Sequence, residues 1–296
     1  MNPTTRAHLD RLLARSPAQW AFHRRAGQRL AVLAYHAVDD PARFAAQLDH
    51  LTRWAHPLSL DAVVAAVRGR RGLPEGAVLV TFDDGARSVY DEALPRLRER
   101  GIPAAAFVVT GLLDTDEPYW WTEVEALAAG EAASLVRRLK AMPDDDRLAT
   151  IAELRRVATT PAPRVPQLHR HELGALESAG IAVGNHSHTH PCLPRCADAR
   201  IRAEVTDAHA VLTNALGHPP VAFAYPNGDC DARTRQVVHE CGYDVAFLFD
   251  HRLSPAVPPD PLRVSRLRVD STTSLDRLRT IVSGLHPAVH RLRGGT

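Results

Sequence analysis

Short apolar segments that alternate with helical patterns constrain the fold of this chain more than any other feature. Near-continuous apolar strands separated by amphipathic helices are typical of a parallel sheet covered by helices. About seven such strands in a chain of 296 residues favour closure into an α/β barrel over an open sheet. The strand candidates span residues 30–35, 78–82, 104–109, 181–184, 221–225, 245–249 and 264–269.

The domain organisation follows from where this alternation starts, breaks and stops. Residues 1–29 carry the pattern of one or two amphipathic helices, which we expect to pack outside a barrel spanning residues 30–285. The spacing of strands breaks at about residues 112–166, where Tyr119-Trp120-Trp121 opens a charged helical stretch. This break predicts a helical insertion over one face of the barrel, and residues 286–296 are expected to form a tail.

The charge balance argues against nucleic acid as a partner. Lys and Arg number 36 against 34 Asp and Glu, a surplus too small for a nucleic-acid-binding surface. Charged residues interrupt every apolar stretch among the first thirty residues, and no later run has transmembrane length. We therefore expect a cytoplasmic protein without a transmembrane segment. The four cysteines form no CxxC pair and are expected to be reduced thiols.

Two adjacent carboxylates follow the second strand candidate, in the motif Thr81-Phe82-Asp83-Asp84-Gly85. The carboxyl end of a strand is where barrels hold their active sites. Consecutive residues there point in different directions, so one carboxylate can bind a metal while its neighbour reaches a water molecule. Two like charges this close are costly unless a cation offsets one of them. The alternative is a plain Asp-Asp-Gly turn that caps a helix.

Three histidines follow the fourth strand candidate, in Gly184-Asn185-His186-Ser187-His188-Thr189-His190-Pro191. If the loop winds into one helical turn, His186 and His190 share a face and His188 points elsewhere. Two neutral imidazoles and one carboxylate leave metal positions open to water and substrate, a set that suits zinc, with cobalt, nickel and iron as alternatives. A structural zinc site with Cys192 and Cys196 would leave both aspartates unexplained.

Together the two motifs resemble the first two motifs of the polysaccharide deacetylases, carbohydrate esterase family 4, in order, separation and strand context. The likeness covers about residues 30–285 and includes Ala34-Tyr35-His36 on the first strand. It implies a distorted (β/α) barrel in which three residues hold a divalent metal, with Asp83 as general base on water. The three implied ligands are Asp84, His186 and His190.

The third motif departs from the family pattern. The family usually has an Arg that orients the base and a Tyr whose backbone N–H helps to hold the oxyanion, and this chain has Ala224 and Asn227 at those positions. The segment 223–229 resembles a Phe-Ala-Tyr-Pro variant linked to exopolysaccharide and cell-surface glycan synthesis. Asn227 keeps a backbone N–H. We expect Arg266 to orient Asp83; the alternative is that Arg266 is a surface residue of a strand.

The general acid is not defined by the resemblance. The family's late Leu-x-His motif is matched in kind only by His286, and His36 and His251 are rival candidates.

The resulting expectation is a metal-dependent hydrolase that removes an N-acetyl or similar acyl group from an amino sugar, glycan precursor or glycosylated metabolite. One alternative is an amide, imide or formyl hydrolase that acts on a small molecule other than a sugar. Another is an inactive protein that binds metal and glycan, which the departures at Ala224 and Asn227 would favour.

Overall fold

The computed structural model describes residues 3–69, 71–128 and 130–292. The strands are β1 (Arg29–Tyr35), β2 (His56–Pro57), β3 (Ala77–Phe82), β4 (Ala104–Val108), β5 (Ile181–Asn185), β6 (Ala222–Ala224), β7 (Val245–Phe247), β8 (Ser254–Pro255) and β9 (Leu267–Arg268). The helices are α1 (Pro3–Ala14), α2 (Pro17–Ala26), α3 (Pro41–Trp54), α4 (Leu60–Arg68), α5 (Leu94–Glu99), α6 (Trp120–Leu127), α7 (Ala132–Ala141), α8 (Asp144–Val157), α9 (Arg170–Ser178), α10 (Asp198–Leu216), α11 (Ala232–Glu240), α12 (Leu275–Val282) and α13 (Leu285–Leu292).

The main strands run parallel in the spatial order β1-β3-β4-β5-β6-β7. Val264 bridges Phe247 of β7, and three residues later Leu267 of β9 pairs with Leu33 of β1. The segment thus connects the last strand of the sheet to the first, so the sheet curls round on itself. The predicted distorted (β/α) barrel of about seven strands is confirmed.

Six of the strand candidates begin within one residue of an observed strand, whereas the seventh, 264–269, is reduced to β9. The reason is that this segment changes partner along its length. Val264 exchanges backbone hydrogen bonds with β7, and Val269 donates to Ala34 of β1, so no continuous ladder forms on either side. The two-residue strands β2 and β8 were not predicted.

Alternating side chains of β1 divide the core into two parts, as the two-residue period of a strand requires. Leu33 and Tyr35 pack outward against Phe44 of α3. Val32 points into the barrel with Phe107 and other residues from strands around it, and α4 contributes to this inner cluster. Burial of each such side chain stabilises the fold by about 1.5–3 kcal/mol.

Helices flank the barrel at both ends of the sequence and in the middle. Helices α1 and α2 occupy the region of the expected lead-in, and α6, α7 and α8 occupy the region of the expected insertion. The expected tail differs from the structure, because residues 286–292 belong to α13, where Leu285 and Pro287 are buried. Residues 293–296 lie outside the described residues. Within the described ranges, every helix is too short or too polar to cross a membrane.

Candidate metal centre

The end of β3 separates the two aspartates. The backbone N–H of Asp83 donates to the carbonyl of Tyr35 at 2.9 Å, which continues the ladder with β1 by one residue. Asp84 then turns sharply, with φ 73°, a left-handed conformation that costs free energy for a residue with a side chain. Because the backbone leaves the extended conformation at Asp84, the neighbouring carboxylates point to different places.

The histidine loop after β5 converges by a different route from the predicted one. Residues 186–190 form no helical turn; instead Ser187 and His190 have φ of 68° and 56°. Asn185 accepts the Ser187 N–H at 2.7 Å, and the Ser187 hydroxyl accepts the His190 N–H at 3.0 Å. These bends bring the rings of His186 and His190 to 4.9 Å between centroids. The two imidazoles therefore meet without helical spacing.

A buried glutamate of α10 holds the outer part of this loop. One oxygen of Glu204 accepts the backbone N–H groups of His188 and Thr189, at 2.9 and 2.7 Å, and the other accepts the Thr189 hydroxyl. The His188 ring turns away from the other two imidazoles, since its Nδ1 lies 2.9 Å from the hydroxyl of Thr110. His188 thus points away from the two candidate ligands, although the helical turn from which this was predicted does not form.

Asp84, His186 and His190 come together as a buried cluster with potential ligand atoms all within 4.8 Å of one another. The Nε2 atoms of the two histidines lie 3.3 and 3.4 Å from Oδ1 of Asp84. Among the described residues this is the one group of three or more acidic, histidine or cysteine side chains with such spacing. Cys192 and Cys196 are free thiols and do not join it.

The donor set of this cluster fits a divalent cation. Oδ1 of Asp84 is buried without a hydrogen-bond partner, a costly arrangement unless a cation binds there. His186 Nδ1 lies 2.7 Å from the carbonyl oxygen of Ala224, so Nδ1 must donate, and Nε2, 3.3 Å from Asp84 Oδ1, is the atom that would bind the cation in place of a proton. Burial lowers the pKa of His190 to about 3, which keeps that imidazole neutral as a ligand must be.

The carboxyl group of Asp84 is also kept ionised. Burial alone would raise the pKa of its carboxyl, but the adjacent His186 imidazole outweighs that effect and keeps the pKa well below its usual range. The carboxylate is therefore ionised at neutral pH.

Arg266 lies against Asp83 and is fully buried, not on the surface. Its NH1 and NH2 atoms each donate to one oxygen of Asp83 at 2.7 Å, and Nε donates to the Leu248 carbonyl at 2.7 Å. Burial would raise the pKa of Asp83, but the Arg266 guanidinium outweighs it and lowers the pKa. A planar guanidinium that donates to both oxygens fixes the orientation of the carboxylate and keeps it ionised.

A cavity of about 330 Å³ lies over the cluster. The insertion contributes Trp121 and Lys140 to its lining, and Trp120 donates its indole N–H to the His190 carbonyl at 3.0 Å. The Trp121 ring lies 4.5 Å from the His190 ring. The two tryptophans therefore brace a candidate metal ligand, and Trp121 also presents an aromatic face to the cavity.

The remaining predicted residues divide between the cavity and another part of the molecule. His36 and Asn227 line the cavity, and Asn227 has φ 57° in the turn after β6. By contrast, Nε2 of His251 lies 2.9 Å from Nδ1 of His286, outside the cavity lining. Of the three candidate acids, the structure thus brings only His36 to the site.

Two kinds of residue at the site were not predicted from the sequence. Glu204 had a detectable signal, because it falls among Ile201, Val205 and Ala208 on the apolar face of a helix, where an acid is unexpected. Lys140 and Arg268, which line the cavity, had none, since their positions depend on how distant segments pack.

The fold and the cluster define a class of protein, the distorted (β/α) barrels with a buried aspartate–histidine–histidine site at the carboxyl ends of the strands. The family model for polysaccharide deacetylases matches residues 70–246, and the chain belongs to this family. The family resemblance predicted from the two motifs is confirmed. Members of the family depend on a metal, in keeping with the cluster described above.

Among curated relatives, the chain is 25% identical over 218 residues to a poly-beta-1,6-N-acetyl-D-glucosamine N-deacetylase of Escherichia coli K12. The match covers 70% of this chain and 30% of the relative, so the chain spans less than a third of that protein's length.

Solved structures share the fold. A Streptococcus pyogenes deacetylase, PplD, in complex with acetate has a TM-score of 0.63 and 20% identity, over 86% of this chain and 98% of that one. IcaB from Ammonifex degensii has a TM-score of 0.63 and 22% identity, over 87% and 98%.

Proposed function

We propose that the protein is a metal-dependent deacetylase that hydrolyses the N-acetyl group of an amino sugar within a glycan or glycan precursor. The observation that carries the proposal is the convergence of Asp84, His186 and His190 beside an Asp83 that Arg266 holds from behind. The activity named for the Escherichia coli relative supports an N-acetylated amino sugar as the substrate.

Asp84, His186 and His190 would hold the metal, which we propose to be zinc because two imidazoles and a carboxylate suit it. When bound, such an ion acidifies water and polarises the acyl carbonyl of the substrate. Hydrogen bonds orient both histidine ligands, since His186 donates to the Ala224 carbonyl and Trp120 donates to the His190 carbonyl.

Asp83 is the proposed general base. It lines the cavity next to Asp84, and the guanidinium of Arg266 fixes both its oxygens while leaving lone pairs that can accept a proton. A carboxylate held in this way removes the proton of the attacking water without reorienting first. Arg266 thereby takes the orienting role that Ala224 cannot take, which weakens the case for an inactive binding protein.

Asn227 and His36 complete the proposed chemistry from the cavity wall. The backbone N–H of Asn227 is the proposed donor to the oxygen that becomes negative when water adds to the acyl carbon. His36 is the proposed general acid that protonates the departing amine, because it is the candidate histidine in the cavity lining. The Phe249 ring lies 5.2 Å from the His36 ring, edge to face, and limits how that imidazole can turn.

Acetate release from N-acetylglucosamine oligomers, compared with ammonia or formate release from small amides, tests the proposal directly. The proposal predicts acetate release that stops in the presence of a chelator and returns with Zn²⁺. Asp83→Asn should keep the shape of the site and lose nearly all turnover. Ammonia or formate release without acetate release would support the small-molecule alternative instead. Cytoplasmic location stays a prediction from the sequence.

A further inference from the structure

Three adjoining concave patches surround α2 and form what we call the amino-end surface. The first patch contains Trp20 and Trp54, the second shares His23 and Trp54 with the first, and the third shares Arg24 with the second. Helix α2 leads directly into β1, and the second patch reaches the first residue of β3. The amino-end surface therefore lies at the opposite end of the barrel from the catalytic cavity.

Arginines dominate this surface. Arg252 and Arg279 line it, each within 4 Å of an aspartate, and six further exposed arginines line it as well. Glu75 is the one carboxylate among its described lining residues. The chain as a whole has a formal charge of +2, so the remainder of the chain is net negative. The six further arginines are Arg15, Arg24, Arg25, Arg29, Arg53 and Arg291.

Large apolar side chains lie among these arginines. The first patch is a groove of about 450 Å³ whose floor includes Leu51 and Val282. Trp20 is 64% exposed and Trp54 59% exposed at its edge, and the Arg24 guanidinium lies 4.9 Å from the Trp20 ring centroid. Helix α2 has no buried residue even though it carries an indole. Exposed aromatic groups beside an apolar groove are typical of a surface that binds a membrane or another molecule.

We propose that the amino-end surface binds an anionic lipid bilayer. Arginines are drawn to lipid phosphates, and indole rings settle at the level of the headgroups, where one end is apolar and the other wet. Double-stranded nucleic acid would use the arginines but would leave the apolar groove and both indoles uncovered. A second copy of the chain that docked through the same surface would set one arginine cluster against another. The combination of charge, groove and tryptophans therefore favours lipid.

Bilayer binding would also orient the catalytic cavity. This step rests on the proposed function. The seven residues of β1 span about 20 Å from the amino-end surface to the site. The bound protein would hold the cavity open away from the lipid, towards a glycan that extends from the membrane surface.

Vesicle co-sedimentation, together with tryptophan emission, tests lipid binding independently of any enzymatic activity. The probes are phosphatidylcholine vesicles with and without phosphatidylglycerol. We expect binding and a blue shift only with the anionic lipid, and both should decline with salt. Charge reversal of two arginines should weaken binding by about tenfold or more, because each contributes near the surface. The first variant is Arg24→Glu/Arg53→Glu.

A second variant and a matched control separate specific from general effects. Trp20→Ala/Trp54→Ala should remove the blue shift while the other two tryptophans remain. Arg137→Glu/Arg138→Glu on α7 makes the same charge change on the insertion and should bind as the wild type does. Thermal unfolding checks that each variant is folded. Absent binding, equal binding to neutral vesicles, an equal loss in the control, or double-stranded DNA that displaces the protein from vesicles would overturn the proposal.

Discussion

The two ends of the barrel show opposite ways of using polar residues. At the carboxyl end, Asp83, Asp84, His186 and Arg266 are buried, and charge-assisted bonds or a metal must satisfy each of them. At the amino end, the arginines of the amino-end surface are exposed and solvated. A buried polar group tolerates little substitution because its partners are fixed, whereas an exposed one contributes little to stability and is available for binding.

Backbone strain follows the same division. Six described residues other than glycine have positive φ, and four of them, Asp84, Ser187, His190 and Asn227, belong to the candidate active site. Such conformations persist only where surrounding contacts enforce them, and they accumulate at functional sites. Substitutions at the two ends should therefore differ sharply in effect, and the predictions that follow run from the largest effect to the smallest.

His36→Gln should lower kcat by about 10²–10⁴-fold, as removal of a general acid does. If His36 protonates the leaving amine, an aryl acetate substrate, whose leaving group needs no proton, should lose far less. The measurement compares kcat for the two substrates in wild type and variant. An equal loss with both substrates would mean that His36 has another role.

Arg266→Met should cost about 3–5 kcal/mol of stability, because it leaves the carboxylate of Asp83 buried and unpaired. Removal of both charges in Asp83→Asn/Arg266→Met should recover much of that loss. Urea unfolding of the wild type, the single variants and the double variant gives the coupling free energy. Additive losses would show that the two side chains do not stabilise each other.

Glu204→Leu should weaken metal affinity by about 10–100-fold, since it frees the loop that carries His190. It also removes the acceptor of the part-buried N–H groups of His188 and Thr189, which destabilises the loop further. Glu204→Gln keeps an acceptor in the same place and serves as the control. Zinc titration of both variants makes the comparison, and unchanged affinity in Glu204→Leu would contradict the role given to this residue.

His251 predicts a pH dependence of stability. Burial, then the neighbouring His286 and His290, lowers its pKa from 6.5 to about 3, so the folded protein favours the neutral ring while the unfolded chain takes up a proton. The free energy of unfolding is therefore highest above pH 6.5 and falls as the pH drops towards 3. His251→Asn, which retains an acceptor for the Arg268 N–H, should flatten the unfolding free energy across that range. If the unfolding free energy of the variant keeps the wild-type slope against pH, other groups cause the pH dependence.

Arg24→Ala/Arg53→Ala should change the free energy of unfolding by less than about 0.5 kcal/mol, as exposed substitutions usually do. Acetate release from short soluble oligomers should also stay at the wild-type rate. A large loss of either would show that the two ends of the barrel are coupled.

The sequence predicts the carboxyl end better than the amino end for a physical reason. Apolar strands and clustered ligands are local patterns, so β1, β3 and β5, and the motifs that follow β3 and β5, could be found directly. The path of residues 186–190 could not, because it depends on left-handed residues held by side-chain bonds from Asn185 and Glu204. The position of Lys140 in the cavity depends on how the insertion packs.

The amino-end surface had no local signal at all. Its arginines come from the turn after α1, from α2, β1 and α3, and from the region beyond β7, and each one alone has the pattern of an ordinary solvated side chain. Only the packing of these elements at one end of the barrel turns separate charges into a single surface. The small net charge of the chain also gives no indication of this basic surface.

Metal content, measured by mass spectrometry on purified protein, tests the central claim that Asp84, His186 and His190 bind one cation beside Asp83, the base that Arg266 orients. Wild type and Asp83→Asn should each retain one equivalent of divalent metal per chain, while His186→Ala/His190→Ala should retain almost none although it remains folded. Full occupancy in the protein that lacks both imidazoles would contradict the account.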